Sequence, residues 1–373
     1  MRIGFDAKRA FYNRSGLGNY SRDTILSLQH YYPGNEYYLY TPRKKNPIDF
    51  LPEDKGNIHV VKPGSMNRLY QAYWRSISLG NKINKHKIDI YHGLSNELPA
   101  DIIHSNARSV VSIHDLIFMR YPELYKSVDR EIYQQKFFEA SLAADKIIAM
   151  SEQTKEDIIS FFHTREENIE VIYQGCNPIF YEQVSEEKKQ AICDKYGIPR
   201  NFIFSVGTLE KRKNALQILE GIKMEKIDFP LVFVGKSTAY LRELHHFLKQ
   251  EKMENQVYFL HDVPNSDLPA LYQASSLFVY PSIFEGFGIP ILEALNSGTP
   301  VITNKFGCFM EAGGDAAMYV NPNHPEEIGE GIRKILDDRE TARKMVEAGK
   351  EHAAHFRQDK ISEKLMNLYK SLL

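Results

Sequence analysis

The sequence predicts an α/β protein with two domains, each built around its own parallel sheet. The chain has 373 residues, and single hydrophobic cores rarely grow beyond roughly 250–300 residues. Short apolar runs rich in Val, Ile and Phe alternate with longer amphipathic stretches, which is typical of buried parallel strands alternating with helices. A polar stretch at residues 182–200 separates two series of such runs, and we expect the domain boundary there.

Seven apolar runs predict the strands of the first domain, and six more predict those of the second. The first series lies at residues 2–5, 37–40, 59–61, 88–92, 109–113, 146–150 and 169–172. The second series lies at residues 202–206, 231–234, 257–260, 277–280, 300–303 and 318–320. Helical patterns continue from Pro325 to Leu373, and the last helix is long enough to leave the second domain and pack on the first. The predicted domains are residues 1–190, on which helix 356–373 packs, and residues 200–355.

The composition predicts a folded, water-soluble protein that does not bind nucleic acid. Hydrophobic residues make up 43% of the chain and charged residues 25%, and the formal net charge is -1, whereas a dedicated nucleic-acid binder carries a strongly basic domain. The three cysteines lack the paired spacing of a zinc or redox site. Asp6 interrupts any N-terminal signal sequence, and no apolar run approaches about 18 residues. We therefore expect a cytoplasmic protein without membrane spans.

The most specific motif is a glycine-rich segment at residues 280–302, where a predicted strand leads into a loop and a short helix. Pro290 suits the first position of that helix, and Gly298, followed by Pro300, suits a left-handed C-terminal end. The N–H groups near Gly288 and Ile289 would then lie at the positive end of the helix dipole, where phosphate or sugar oxygens are favoured. Glu285 and Glu293 could face the same ligand; the alternative is that Glu293 only complements the helix dipole and Glu285 is solvated.

A second motif follows the first strand of the second domain and contains three adjacent cations, Lys211, Arg212 and Lys213. Open α/β sheets bind ligands beyond the carboxyl ends of their strands. Arg and Lys at this place suit a diphosphate and could neutralise the charge that grows as it departs. The alternative is a solvated basic turn.

Two weaker motifs lie in the first domain. Gly16 and Gly18 precede a helical pattern and would let the backbone approach a phosphate. Ser21 stands at the third glycine position of a dinucleotide fingerprint, so a simple loop is an open alternative. His114 ends a predicted strand and could donate to a sugar hydroxyl, with Asp115 setting its tautomer; alternatively, the histidine only holds a loop together.

The sequence contains neither a His-Glu-x-x-His pattern nor an Asp-x-Asp triplet, which favours a reaction without a metal. Together the four motifs resemble the retaining GT-B glycosyltransferases, a family that includes bacterial mannosyltransferases and sucrose and glycogen synthases. The resemblance spans nearly the whole chain. Its most specific elements are the two glutamates around Gly-Phe-Gly and the Glu-Lys-Arg-Lys-Asn segment at residues 210–214. It implies two Rossmann-like domains that face each other across a nucleotide-sugar cleft.

The resemblance also implies residue roles. Glu285 would contact the donor sugar and Glu293 the ribose, while His114 would lie near the reacting carbon. The implied catalytic residues are His114, Arg212, Lys213 and Glu285. The implied donor-binding residues are Gly16, Gly18, Gly207, Asp262, Val263, Phe287, Gly288, Ile289 and Glu293. Two departures from the family pattern are Thr208, where many members have Arg, and the absence of a proline before Glu311, which is a secondary candidate for the donor site.

The expected reaction moves a hexose, first of all mannose, from a GDP- or UDP-linked donor to a glycan or lipid-linked acceptor, with retention and no cofactor. Three alternatives are a nucleotide-sugar epimerase, a phosphorylase and a non-catalytic sugar-nucleotide or glycan-binding protein. A basic and aromatic stretch could bring the protein into peripheral contact with the inner membrane surface; alternatively, it is a solvated helix with aromatic residues in the core. The stretch contains Lys62, Arg68, Tyr70, Tyr73, Trp74, Arg75, Lys82, Lys85 and Lys87.

Overall fold

The computed structural model describes residues 1–42, 48–51, 56–63 and 79–373. These residues form two compact units: Met1–Gly175 with Gln358–Leu373 make up the first, and Cys176–Arg357 make up the second. Each unit contains one parallel sheet with helices in the connections. The predicted fold class is therefore confirmed.

The first unit contains a seven-stranded parallel sheet with the strand order β3-β2-β1-β4-β5-β6-β7. Its strands are β1 (Arg2–Asp6), β2 (Glu36–Tyr40), β3 (Ile58–Val61), β4 (Ile90–Gly93), β5 (Arg108–Ile113), β6 (Lys146–Ala149) and β7 (Ile169–Val171). Residues 3–6 of β1 and all of β4 are buried. Strands that are covered on both faces need apolar residues at successive positions, which is why the seven apolar runs predicted them.

The connections of the first unit contain six α-helices in the described part of the chain. They are α1 (Lys8–Tyr12), α2 (Gly16–Tyr31), α3 (Gly80–Lys85), α4 (Ile117–Arg120), α5 (Ser127–Ala143) and α6 (Glu152–Phe162). Helix α6 begins where the Ser151 side chain accepts the Thr154 N–H, and it ends at His163 in a left-handed conformation. The C-terminal helix, Gln358–Ser371, packs on α2, which confirms the predicted return of the chain to the first domain.

The second unit contains a six-stranded parallel sheet with the order β10-β9-β8-β11-β12-β13. Its strands are β8 (Ile203–Val206), β9 (Leu231–Val234), β10 (Val257–Leu260), β11 (Leu277–Tyr280), β12 (Val301–Asn304) and β13 (Ala317–Val320). The chain order reverses between β8 and β11. The loops that follow these two strands therefore meet at the carboxyl edge, the usual ligand position in such sheets.

The second unit has eight α-helices. They are α7 (Glu186–Tyr196), α8 (Ala215–Met224), α9 (Leu241–Glu251), α10 (Leu268–Ala274), α11 (Ile289–Asn296), α12 (Cys308–Gly313), α13 (Pro325–Asp337) and α14 (Arg339–Ala353). Helices α8 and α13 pack closely because both carry a glycine at the contact. A Cβ atom on Gly329 would lie only 2.4 Å from the carbonyl oxygen of Gly221.

The division between the units lies earlier than the predicted boundary at residues 190–200, because the polar stretch there is a helix of the second unit. Helix α7 buries Ile192 and Cys193. The last two residues of the helix, Lys195 and Tyr196, bind the Asp267 carboxylate at 2.6 and 2.7 Å beside α10. The charged face of α7 gives the segment the composition of a linker although its other face is buried.

Two predictions from the sequence concern membranes: the basic and aromatic stretch, and the absence of membrane spans. Residues 64–78 of the basic and aromatic stretch, including Arg68, Tyr70, Tyr73, Trp74 and Arg75, lie outside the described residues, whereas Lys82 and Lys85 lie on α3. Within the described ranges, we find no helix with the length and apolar character that a membrane crossing needs.

Candidate functional site

The basic turn after β8 is built around two unusual backbone conformations. Gly207 has a φ of 147°, and a Cβ atom on it would meet Cε of Lys213 at 3.4 Å. The glycine therefore leaves room for the aliphatic part of the lysine. The turn ends at Asn214, which has a φ of 63° and donates from its side chain to the carbonyl oxygen of Pro322. These contacts hold Lys211–Lys213 at the carboxyl edge of the sheet.

A single carboxylate oxygen, Oε1 of Glu285, joins the basic turn to the glycine-rich segment. It accepts from Nζ of Lys213 at 2.5 Å, from the Arg212 guanidinium at 2.7 Å and from the Ser282 hydroxyl at 2.6 Å. The Tyr280 hydroxyl lies 3.0 Å away. The structure therefore brings together three of the four predicted catalytic residues, Arg212, Lys213 and Glu285. Glu285, Arg212 and Lys213 are largely buried, which contradicts the alternative that they are merely solvated.

The electrostatics of this cluster keep the carboxylate ionised. Burial alone would raise the pKa of Glu285, but the charges of Lys213 and Arg212 outweigh it and lower this pKa to about 2. Burial lowers the pKa of Lys213, while Glu285 opposes the change. Glu285 is consequently an anion at neutral pH, and it is held beside two basic side chains.

Arg212 also connects the two loops structurally. Its guanidinium donates to the carbonyl oxygen of Phe284 at 2.5 Å and binds the Glu210 carboxylate at 2.7 Å. Its own carbonyl oxygen accepts the N–H of Ile283 at 2.9 Å. Arg212 therefore orders the loop that carries Glu285, in addition to contributing a positive charge.

Helix α11 begins at Ile289, directly after this loop, and its N-cap residue Gly288 has a φ of 119°. Pro290 is the second residue of the helix, one position later than predicted, and Gly298 follows the helix with a φ of 73°. The N–H groups of Gly288 and Ile289 precede the first hydrogen bond within the helix. The Phe287 side chain is buried and its ring centroid lies 5.6 Å from that of Phe356, so Phe287 could reach a ligand only through its backbone.

Glu293 lies on α11 and faces α10. Its Oε2 accepts a 2.8 Å hydrogen bond from the hydroxyl of Tyr272, a buried residue of α10. The second carboxylate of the motif is thus held by a side-chain partner, beyond any effect of the helix dipole. Helix α12, which carries Glu311, begins at Cys308, and the Cys308 thiol donates to the carbonyl oxygen of Glu285 at 3.2 Å.

Asp262 and Val263, two of the implied donor-binding residues, follow β10, which is separated from β8 by β9. Asp262 is exposed and has a φ of 54°, and Val263 is half-buried. His261 precedes them, and its Nδ1 lies 2.8 Å from the carbonyl oxygen of Gly235. This loop therefore lies at the same carboxyl edge of the sheet as the basic turn, two strands away from it.

In the first unit, the predicted glycines and His114 lie near each other. Helix α2 begins at Gly16 and carries Tyr20, whose ring meets the His114 ring edge-on at 4.6 Å. A Cβ atom on Gly18 would lie 1.8 Å from the carbonyl oxygen of Asn13, whereas Gly16 faces open space. Packing against the Asn13 backbone is therefore enough to require glycine at position 18, whether or not a ligand binds there.

The structure corrects two expectations about His114. Its tautomer is set by the carbonyl oxygen of Leu94, 2.9 Å from Nε2, while Asp115 accepts the N–H of Ile117 instead. Burial lowers the pKa of His114 to about 4, so the ring is neutral at pH 7 and Nε2 carries its one hydrogen. Nδ1 is then an acceptor, and a sugar hydroxyl would donate to the ring rather than receive from it.

The sequence did not single out Tyr272, Tyr280, Ser282 and Leu94. Tyr280 and Ser282 belong to the glycine-rich motif, but their role depends on the pairing of β11 with β8, which no local pattern specifies. In the described part of the chain, no group of three or more His, Cys, Asp or Glu side chains is arranged to hold a metal ion.

Comparisons with known proteins agree with this architecture. The family profile described as "Glycosyl transferases group 1" matches residues 188–352, and the one described as "Glycosyltransferase Family 4" matches residues 14–179. O-antigen chain mannosyltransferase B from Escherichia coli is 28% identical over the full length of both chains. O-antigen chain mannosyltransferase RfbU from Salmonella typhimurium is 29% identical over 60% of each chain.

The fold of the chain also resembles that of a solved structure. The crystal structure of HepE from Anabaena in complex with UDP has a TM-score of 0.77 at 19% identity, covering 100% of both chains. The two family profiles, which match separate halves of the chain, and the two parallel-sheet units lead to the same assignment. The chain belongs to the GT-B glycosyltransferase family.

Proposed function

We propose that this glycosyltransferase moves a hexose, with mannose as the first choice, from a nucleoside diphosphate to a hydroxyl of a glycan or lipid-linked acceptor. The proposed transfer retains the anomeric configuration and uses neither a metal nor a cofactor besides the nucleotide sugar. The observation that carries the proposal is the cluster of Lys213, Arg212 and Glu285, next to the start of α11.

The charges of this cluster suit a leaving diphosphate. Lys213 and Arg212 are both largely buried, where their interaction with an anion is screened less than in water. The first-turn N–H groups of α11 add donors at the positive end of a helix dipole. Together these groups would stabilise negative charge as it develops on the phosphate oxygen.

The proposed chemistry needs no protein nucleophile. The bond between the anomeric carbon and the phosphate oxygen breaks, and the acceptor oxygen bonds to the same face of the sugar. The acceptor proton passes to the departing phosphate. Glu285 would orient the sugar hydroxyls, Glu293 the ribose, and His114 would accept a hydroxyl hydrogen through Nδ1.

The names of the relatives support the choice of donor. Two relatives at 28% and 29% identity are named as O-antigen chain mannosyltransferases, which favours mannose and a cell-envelope glycan or its lipid-linked precursor. The HepE structure contains UDP. A thermal-shift panel of GDP- and UDP-linked sugars tests the base and the sugar together, because a ligand of the folded state raises the melting temperature.

Replacing Lys213 with alanine tests the central role in this proposal. Lys213→Ala should lower turnover at saturating donor by about 10²–10³-fold, because it removes one donor to the charge that develops on the leaving group. The measurement is release of nucleoside diphosphate from the nucleotide sugar selected by the panel, with acceptor or with water in its place.

Lys211→Ala is the matched control. Lys211 belongs to the same turn, but 74% of its side chain is exposed and it pairs with Glu243 at 3.5 Å. This variant should keep turnover within about threefold, as expected for a surface ion pair. Equal loss in both variants, or normal turnover of Lys213→Ala, would contradict the proposal. Product analysis separates transfer from epimerisation, and donor binding without turnover would indicate a non-catalytic protein.

A further inference from the structure

Two buried tyrosines of the second unit each contact one of the two carboxylates in the glycine-rich motif. Tyr280, at the end of β11, places its hydroxyl 3.0 Å from Oε1 of Glu285. Tyr272, on α10, places its hydroxyl 2.8 Å from Oε2 of Glu293. The two contacts are separate, because the tyrosines come from different elements and bind different glutamates.

The direction of each hydrogen bond follows from the chemistry of the partners. A lysine ammonium can only donate and an ionised carboxylate can only accept. The Tyr280 hydroxyl accepts from Nζ of Lys213 at 2.6 Å and therefore donates to Glu285. The Tyr272 hydroxyl donates to Glu293. Burial raises the pKa of both tyrosines well above its usual value, so both remain protonated donors.

The two rings are held in one aromatic cluster that restricts their movement. The Phe278 ring lies 5.2 Å from that of Tyr272 and 5.8 Å from that of Tyr280, measured between centroids. The Phe204 ring lies 5.0 Å from that of Tyr272. Nζ of Lys213 lies 4.9 Å from the centroid of the Tyr280 ring, so this ring also supports the lysine. Rigid rings give each hydroxyl a defined position.

We propose that Tyr280 and Tyr272 are positioning residues that act on different parts of the donor. Tyr280 fixes Glu285 and Lys213, which serve the sugar and the leaving group. Tyr272 fixes Glu293, which serves the nucleoside. This inference rests on the proposed function and assigns separate kinetic consequences to two similar hydroxyl groups.

The test uses the full-length variants Tyr280→Phe and Tyr272→Phe, each of which keeps its ring and loses one hydroxyl. The nucleotide sugar is the one that the thermal-shift panel selects with the wild-type protein. For each protein we measure kcat for nucleoside diphosphate release and the Kd of the corresponding nucleoside monophosphate. Tyr280→Phe should lower kcat about tenfold and leave the Kd within about threefold. Tyr272→Phe should raise the Kd about tenfold and leave kcat within about threefold, since hydrogen bonds to charged groups carry effects of this size.

Each variant is the control for the other, because a merely structural role would lower the melting temperature without separating kcat from Kd. The inference is overturned if both variants change kcat and Kd by the same factor, if the two effects are exchanged, or if neither value moves. In each of these three outcomes the wild-type protein still turns over the nucleotide sugar, so the inference fails while the proposed function stands. If the wild-type protein neither binds nor turns over any nucleotide sugar, the proposed function itself fails, and this inference fails with it.

Discussion

At the scale of single residues, two histidines of the first unit are buried in fixed hydrogen-bonding environments. His92 lies between the hydroxyls of Tyr369 and Ser112, at 2.6 Å from Nδ1 and 2.8 Å from Nε2. Burial lowers the pKa of His92 to about 3 and that of His114 to about 4, and the Leu94 contact opposes the change at His114. Both rings are therefore neutral in the folded protein at pH values where exposed histidines titrate.

The low pKa of His114 in the folded protein, compared with an exposed histidine in the unfolded chain, predicts that acid destabilises the first unit well before its carboxylates are protonated. In the unfolded chain His114 takes up a proton below about pH 6.5, while in the folded protein it stays neutral down to about pH 4. The free energy of unfolding should therefore fall as the pH drops through this window. Between pH 7 and 5 the loss should be about 1–2 kcal/mol for His114, measured by denaturant unfolding.

The variant His114→Gln should show a shallower loss over the same interval, because glutamine does not titrate. His246→Gln, which makes the same substitution at an exposed position of the second unit, is the control for the substitution itself. An unchanged slope in His114→Gln would contradict the prediction, because it would mean that this ring takes up its proton over the same pH range in the folded and unfolded states.

At the scale of elements, the strands could be predicted from the sequence and the segment between the two series could not. Strands covered on both faces are continuous apolar runs, so all thirteen runs correspond to strands, with ends that agree to within two residues. The polar composition of the α7 segment predicted a domain boundary there, because charged residues crowd the exposed face of the helix. Lys213, Arg212 and Glu285 were predicted as ligands of a diphosphate and a sugar. Their contact with each other depends on the position of β11 beside β8, which is a property of the whole sheet.

The attachment of α7 to the second unit gives a prediction at this scale. Asp267 is 8% exposed and accepts from Lys195 and Tyr196 at the end of α7. Asp267→Ala should weaken this attachment by about 1–3 kcal/mol, because it removes a carboxylate that accepts two hydrogen bonds. Hydrogen exchange measured by mass spectrometry should show faster exchange in residues 186–196.

The matched control is Asp194→Ala, which removes an exposed carboxylate from the same helix. The Asp194 side chain accepts from the Gln190 side chain of the same helix at 2.8 Å, and its loss should leave exchange in α7 nearly unchanged. Faster exchange in both variants would show that α7 is frayed by any loss of charge, and that Asp267 has no special part in holding it.

At the scale of the whole molecule, the chain returns to its first unit after completing the second. The C-terminal helix buries Ile361, Leu365, Met366 and Tyr369, and the Tyr369 hydroxyl binds His92 of β4. The first sheet therefore depends on residues at the opposite end of the sequence. Helical patterns from Pro325 to Leu373 predicted the helices, and the length of the last one predicted that it leaves the second domain and packs on the first.

This connection predicts that a core substitution near the C-terminus destabilises the unit that contains the N-terminus. Leu365 is 2% exposed, and Leu365→Ala should cost about 2–5 kcal/mol through lost burial and a cavity. Hydrogen exchange should become faster in α2 and β4 while β8 and β11 keep the wild-type rate. Leu373→Ala, at a position that is 64% exposed, should change neither set. Faster exchange confined to β8 and β11 in Leu365→Ala would contradict the assignment of the helix, since its buried face would then support the second unit.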